Sequence, residues 1–268
     1  MIGWIRLPYG PIIIKAIGGN ALKLLKRIVI IITALVIIFV GVFGYYGFRS
    51  FSEMRKMKPA DTSEIIDSIS VLKDNSNNMY IIEGTDGYVA VDTALNPSII
   101  NRELGKLEIP ADEVRAVLLT HTDSDHTGSI GLFKNAKVYI SDAEEQMING
   151  KTVRTMFIFK NKLEHQCDLL RDGQEIELCG LKIRCVLTPG HTPGSMSYII
   201  NDKYLFTGDT LSLKDGKAEV FNDFYNMDSG EEMKSIEKLS GHTGIEDLFT
   251  AHYGYSKDFV TTFKDIGK

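Results

Sequence analysis

His121-Thr122-Asp123-Ser124-Asp125-His126 packs two imidazoles and two carboxylates into six residues. Confined to a dry interior, such groups would repel and desolvate one another, so they do not read as structural filler. A hard or borderline dication resolves the conflict, because imidazole and carboxylate are its ordinary ligands. The apolar run 116–120 leads into this loop. Three further short apolar runs end the same way: 183–188 leads to Pro189-Gly190-His191, 204–207 to Gly208-Asp209, and 248–251 to His252. Strand ends fix the backbone while the following loop presents the side chain, so ligands converge at such ends.

Around these runs, strand and helix signals alternate with short Gly/Asn/Asp turns, the mark of a mixed α/β domain. Segments 70–73, 79–83 and 88–91 read as early antiparallel strands separated by Asn75-Ser76-Asn77-Asn78 and Asp86-Gly87. Asn96-Pro97 opens a helix towards Leu107, with Asn as cap and Pro at the first position. Ser141 with Glu144, and Ser229 with Glu232, read as capping boxes of two more helices, ending near Gly150 and Gly241.

With Thr188-Pro189-Gly190-His191-Thr192-Pro193-Gly194-Ser195 and Thr207-Gly208-Asp209 added to the first cluster, the sequence resembles the metallo-β-lactamase-fold superfamily over residues 68–268. The resemblance implies a four-layer αββα sandwich with a two-metal site on one edge. By position, His121 and His191 would serve the first metal, Asp125, His126 and His252 the second, and Asp209 would bridge them. Asp92 matches a supporting acid. The implied reaction is metal-assisted hydrolysis: a bridging hydroxide, oriented by the catalytic Asp125 or Asp209, attacks a carbonyl or phosphoryl centre. The bond cleaved would be that of an ester, thioester, lactone, amide or phosphodiester in a small-molecule substrate.

Asp123 departs from the family pattern, standing where a second His belongs. Flavodiiron proteins of this fold carry a Glu at that position and bind metal, so Asp123 counts as a candidate metal ligand. Three carboxylates and a hydroxide would cancel two dications. The family favours zinc, whereas this extra charge points towards iron or manganese, or towards a mildly alkaline working pH. A diiron redox protein or dioxygenase is therefore the second reading, although no flavodoxin-like partner accompanies the motif. A non-catalytic sensing module is the third, opposed by the otherwise intact ligand types. A glyoxalase-type thioesterase would be expected to bring a further helical domain, whereas 16 residues follow His252, and no β-lactam-specific signal is present.

The remaining histidines, His165 and His242, lie outside the motif positions and read as structural or surface residues. Segments 156–159 and 221–225 are aromatic and could line a pocket with an apolar part. Cys167, Cys179 and Cys185 form neither a C-x-x-C pair nor a secreted-type framework and read as buried free thiols.

The N-terminal part differs in kind. Residues 1–59 hold nine Lys/Arg and one acid, net +8, which leaves 21 Lys/Arg against 34 Asp/Glu, net −13, in the remainder of the 268-residue chain. An acidic domain does not suit a nucleic-acid backbone. Residues 28–48 carry no charge and, as a helix, would reach about 31 Å, enough to cross a bilayer core. The expected order is a basic segment 1–27, a transmembrane helix 28–48, a juxtamembrane linker 49–67 and the domain 68–268. Slightly more basic residues precede the apolar run than follow it, favouring a single-pass cell-membrane protein with an extracytoplasmic domain in contact with lipid through 28–48.

Overall fold

The computed structural model describes residues 19–66, 68–154, 161, 163 and 165–267. Residues 1–18 and the aromatic segment 156–159 lie outside the described residues. The chain forms two compact units, one ending at Ser52 and one beginning at Glu53. Gly19–Met54 form a single 36-residue helix, α1, with a mean hydropathy of 2.9 over its most apolar stretch and no buried residue.

Part of the stretch expected as a linker, 49–67, carries regular structure. Helix α1 runs on to Met54, and Ser63–Ile66 form strand β1, paired with β2 (Ile69–Asp74). Two polar residues followed by two apolar ones, none of them fully buried, lack the period-two alternation of a strand. β2 pairs with β3 (Asn77–Glu83) and β3 with β4 (Tyr88–Val91), all antiparallel. The turn between β2 and β3 is tighter than the sequence suggests, since Asn77 already pairs with Asp74. Helix α2 (Pro97–Lys106) starts as expected: Asn96 Oδ1 accepts from the Ser98 and Ile99 N–H groups. It crosses over to β5 (Val114–Leu118), parallel to β4. After the short α3 (Ser124–Thr127) come β6 (Lys137–Ser141), α4 (Glu145–Ile148) and β7 (Cys167–Leu170), completing a mixed seven-stranded sheet in sequence order.

The second sheet contains β8 (Glu175–Leu178), β9 (Leu181–Leu187), β10 (Met196–Ile200) and β11 (Tyr204–Phe206). A separate hairpin of β12 (Leu211–Lys214) and β13 (Lys217–Val220) and helix α5 (Ser229–Ser240) precede β14 (Asp247–Phe249), β15 (Tyr255–Ser256) and α6 (Phe259–Thr262). β14 inserts parallel to β11, giving the order β15-β14-β11-β10-β9-β8.

Period-two alternation explains the layering. Tyr80 and Ile82 of β3, Ile183 and Cys185 of β9, and Met196, Tyr198 and Ile200 of β10 join Phe206 and Phe249 in the core between the sheets. The opposite face of the first sheet, with Met79, Ile81 and Val117, packs on Ile100 and Leu104 of α2. The opposite face of the second, with Val186 and Ile199, packs on Ile236 and Leu239 of α5 and Phe259 of α6. Helix, sheet, sheet and helix form the expected four layers. Cys185 is buried, Cys167 and Cys179 only partly so, and all three thiols are free.

Candidate metal centre

The loops after β5, β9, β11 and β14 meet at one edge of the sandwich and bring all seven predicted ligands together. His121, His126, His191, His252 and Asp209 are buried. Three overlapping groups have donor atoms within 4.8 Å of one another: His121, His126 and Asp209; His121, Asp123 and His191; and Asp125, His126 and His252. Asp209 touches both ends of the cluster. Its Oδ1 lies 3.3 Å from His252 Nε2 and 3.6 Å from His126 Nε2, and its Oδ2 lies 3.4 Å from His191 Nε2.

Every imidazole in the cluster is pinned from behind. Nδ1 of His126 donates to Asp92 Oδ2 at 2.8 Å, that of His252 to the Ser76 carbonyl at 2.6 Å, and that of His191 to Asn226 Oδ1 at 3.1 Å. His121 Nδ1 lies 3.1 Å from Thr120 Oγ1, whose own proton goes to Asp92 Oδ2 at 2.8 Å. Fixing Nδ1 turns each Nε2 inward, the arrangement that metal-binding imidazoles need. The fit is visible in the polar atoms left over: His121 Nε2, His126 Nε2 and Asp209 Oδ1 are buried without a hydrogen-bond partner. Such atoms are costly unless something fills them.

Charge is concentrated here. Burial lowers the affinity of His126 for a proton, but Asp92, Asp209 and Asp125 overcome it and hold the imidazole well above its ordinary range. His252 is pushed up to about 10, since Asp209 and Asp125 outweigh its burial. His191 goes the other way, to about 4, through burial and the neighbouring Arg154. Asp209 is buried too, yet the cationic imidazoles around it, His252 first, hold it well below the usual carboxylate range.

The glycines of the Thr188–Ser195 loop are set by close approach. Gly190 has φ +142°, and a Cβ there would stand 2.5 Å from the Glu232 backbone nitrogen. A Cβ on Gly194 would stand 2.1 Å from that of Glu144. The loop thus sits directly on two other segments, and each supplies a buried carboxylate.

Neither carboxylate closes a capping box as the sequence suggests. Ser141 Oγ does accept from the Glu144 N–H, but the Glu144 side chain turns away. It accepts from Thr122 N (2.8 Å), Thr122 Oγ1 (2.6 Å) and Thr192 Oγ1 (2.7 Å), tying the 121–126 loop to the 188–195 loop. Helix α5 is capped by Asp228, which accepts from the Glu231 N–H at 2.9 Å. Glu232 instead points inward, accepting from Phe221 N at 3.2 Å and from Asn226 Nδ2, the residue that orients His191.

Burial raises the Glu232 carboxyl from 4.5 to about 9, so it is protonated at neutral pH. A group raised in the folded state contributes fully below its unfolded value and loses that contribution as pH rises through its folded value. Wild type is therefore expected to lose stability relative to Glu232→Gln between pH 5 and pH 9, by up to about 1.4 kcal/mol per pH unit. Urea unfolding of both proteins across that range measures it; parallel pH profiles would show that Glu232 ionises normally in the fold.

Two residues with no sequence signal complete the site. Arg154, 11% exposed, donates through Nε to Asp123 Oδ1 at 3.1 Å and through Nη2 to Asp123 Oδ2, while Nη1 donates to the Tyr225 carbonyl. Asn161 Nδ2 donates to Asp123 Oδ1 at 3.0 Å. Burial disfavours the Asp123 charge, but Arg154 and then the facing imidazoles hold it well below the usual carboxylate range. Of the predicted pocket segment 221–225, Phe221 stands against the site, its ring 5.2 Å from His191 and 5.4 Å from His252. Neither His165 nor His242 belongs to these donor groups.

Residues 72–244 match the family model described as the metallo-beta-lactamase superfamily. The chain is 35% identical to the probable polyketide biosynthesis zinc-dependent hydrolase PksB of Bacillus subtilis (strain 168), over 71% of this chain and 79% of that protein. It is 32% identical to the hydroxyacylglutathione hydrolase of Buchnera aphidicola subsp. Schizaphis graminum, over 61% of this chain but only 58% of that one's length. The fold is also similar to the crystal structure of a metallo-beta-lactamase family protein from Thermus thermophilus, with TM-score 0.58, 21% identity and coverage of 74% and 77%.

Proposed function

Because the chain belongs to the metallo-beta-lactamase superfamily, we propose that it is a membrane-anchored hydrolase that uses divalent metal to cleave an ester, thioester, lactone, amide or phosphodiester bond. The carrying observation is the convergence of four Nε2 atoms on Asp125, Asp123 and Asp209 with every Nδ1 tied outward. Asp125, His126 and His252 would hold one ion, His121, Asp123 and His191 a second, and Asp209 would reach both. Zinc is the proposed metal, in keeping with the name of the Bacillus relative.

A divalent metal held by these residues would supply Lewis-acid polarisation of the scissile group and a more acidic water. The chain's own residues divide the remaining work. The Asp125 side chain is 37% exposed, against 4% for Asp209, so Asp125 stands where water enters and is placed to accept its proton. Asp209 holds the inward orientation of three imidazoles. Phe221, with Tyr225 and Tyr253 at 6.3 and 6.1 Å from its ring, forms an aromatic wall suited to an apolar part of the substrate. The apolar stretch of α1 supports the membrane reading, with the domain proposed on the extracytoplasmic side.

The test uses the full chain in detergent, stripped with a chelator and reloaded with zinc. Turnover of an ester, thioester, lactone, β-lactam or phosphodiester is expected to vanish on stripping and return on reloading. A protein that takes up no metal and turns over none of the panel would sink the proposal.

A further inference from the structure

Arg154 stands inside the cluster, not beside it. Besides its fork on Asp123, its Nη2 lies 2.8 Å from His191 Nε2. Asp123 Oδ2 also faces His121 Nε2 at 3.4 Å and His191 Nε2 at 3.3 Å. The guanidinium therefore holds two of the three donor residues of the His121, Asp123 and His191 set. It has only donors and keeps its charge at any working pH, so it can share neither these lone pairs nor this space with a dication. Repulsion between the two cations is strengthened because both would be withdrawn from water. Among the described residues, no Lys or Arg makes a comparable contact with Asp125, His126, His252 or Asp209.

Taking the metal-binding reading above as given, we infer that Arg154 is a tethered cation that occupies the donor set of His121, Asp123 and His191, so the two donor sets fill in order. One ion enters at Asp125, His126 and His252. The set of His121, Asp123 and His191 accepts a second only when the Arg154 fork is displaced from Asp123. The departure at position 123 thereby gains a physical reason: a carboxylate offers Arg154 a two-point partner, which an imidazole there could not.

The full-length protein in detergent, freed of metal, is titrated with zinc against a chromogenic chelator. Wild type is expected to bind one equivalent tightly and a second at least about a hundredfold more weakly. Arg154→Gln and Arg154→Ala are expected to tighten the second at least about tenfold and leave the first nearly unchanged. Arg154→Lys, keeping the charge without the fork, should fall between them. Two equally tight equivalents in wild type, or a second ion indifferent to Arg154→Gln and Arg154→Ala alike, overturn the inference and leave the metal reading standing. A folded wild-type chain that binds no zinc overturns both.

Discussion

Asp209→Ala is expected to lower kcat/KM at least about a thousandfold on any substrate the wild type turns over, a loss of several kcal/mol in transition-state stabilisation. Three of the four imidazoles in the cluster face this one carboxylate, His126, His191 and His252, at 3.3 to 3.6 Å. Asp123 faces His121 and His191 and Asp125 faces His126 and His252, so of the three carboxylates in the cluster Asp209 alone reaches imidazoles of both proposed ion sets. Its removal leaves those three rings without their common acceptor and removes a donor from each set. The loss should appear in kcat as well as KM, because in the proposed mechanism the group would act on the reacting centre and not on a remote part of the substrate. Zinc content measured beside the rates separates lost metal from lost positioning. A variant within about tenfold of wild type would show that Asp209 is not central to the chemistry.

Asp92→Ala is expected to cost about 3 kcal/mol of stability and to weaken zinc binding about 10- to 100-fold. Asp92 is buried and accepts from Thr120 N at 2.8 Å, from Thr120 Oγ1 and from His126 Nδ1. Alanine leaves all three donors unsatisfied and frees the His126 ring to turn. The backbone adds to the cost, for Asp92 has φ +58°, a region that Asp and Asn enter more readily than Ala. Asp92→Asn separates the effects: it suits the backbone but removes the charge that His126 leans on. Thermal unfolding and chelator competition on the pair read this out. An alanine variant that melts and binds zinc like wild type would exclude Asp92 as a support of the site.

Much of this was legible because strand ends and chemistry coincide. Each apolar run that ends in His or Asp became a strand of the expected sheet, and Asn96-Pro97 capped its helix as read. What escaped is long-range. A Ser-x-x-Glu spacing describes a local helix start, so nothing in it reveals that Glu144 reaches Thr192 or that Glu232 reaches Phe221, contacts made only when distant loops close on each other. Arg154 is harder still, since an isolated arginine in a polar stretch carries no periodicity or motif. Its partner, Asp123, did carry a signal, and the departure from the family pattern was the one visible trace of a contact 31 residues away. β1 was lost to its edge position, where one-sided pairing imposes little on sequence.

The donors come from both halves of the sandwich. Asp125 and His126 follow β5 in the first sheet, whereas His252 follows β14 in the second, more than a hundred residues later in the chain. An ion shared by these three would be a rivet through the two sheets, closing a chain loop as long as those spanned by the most effective disulfides. Cross-links over such distances restrict the unfolded ensemble by about 4 to 5 kcal/mol. Loading would then make the sheets part company only together, so the same atoms proposed to prepare water for reaction would also set how readily the domain comes apart.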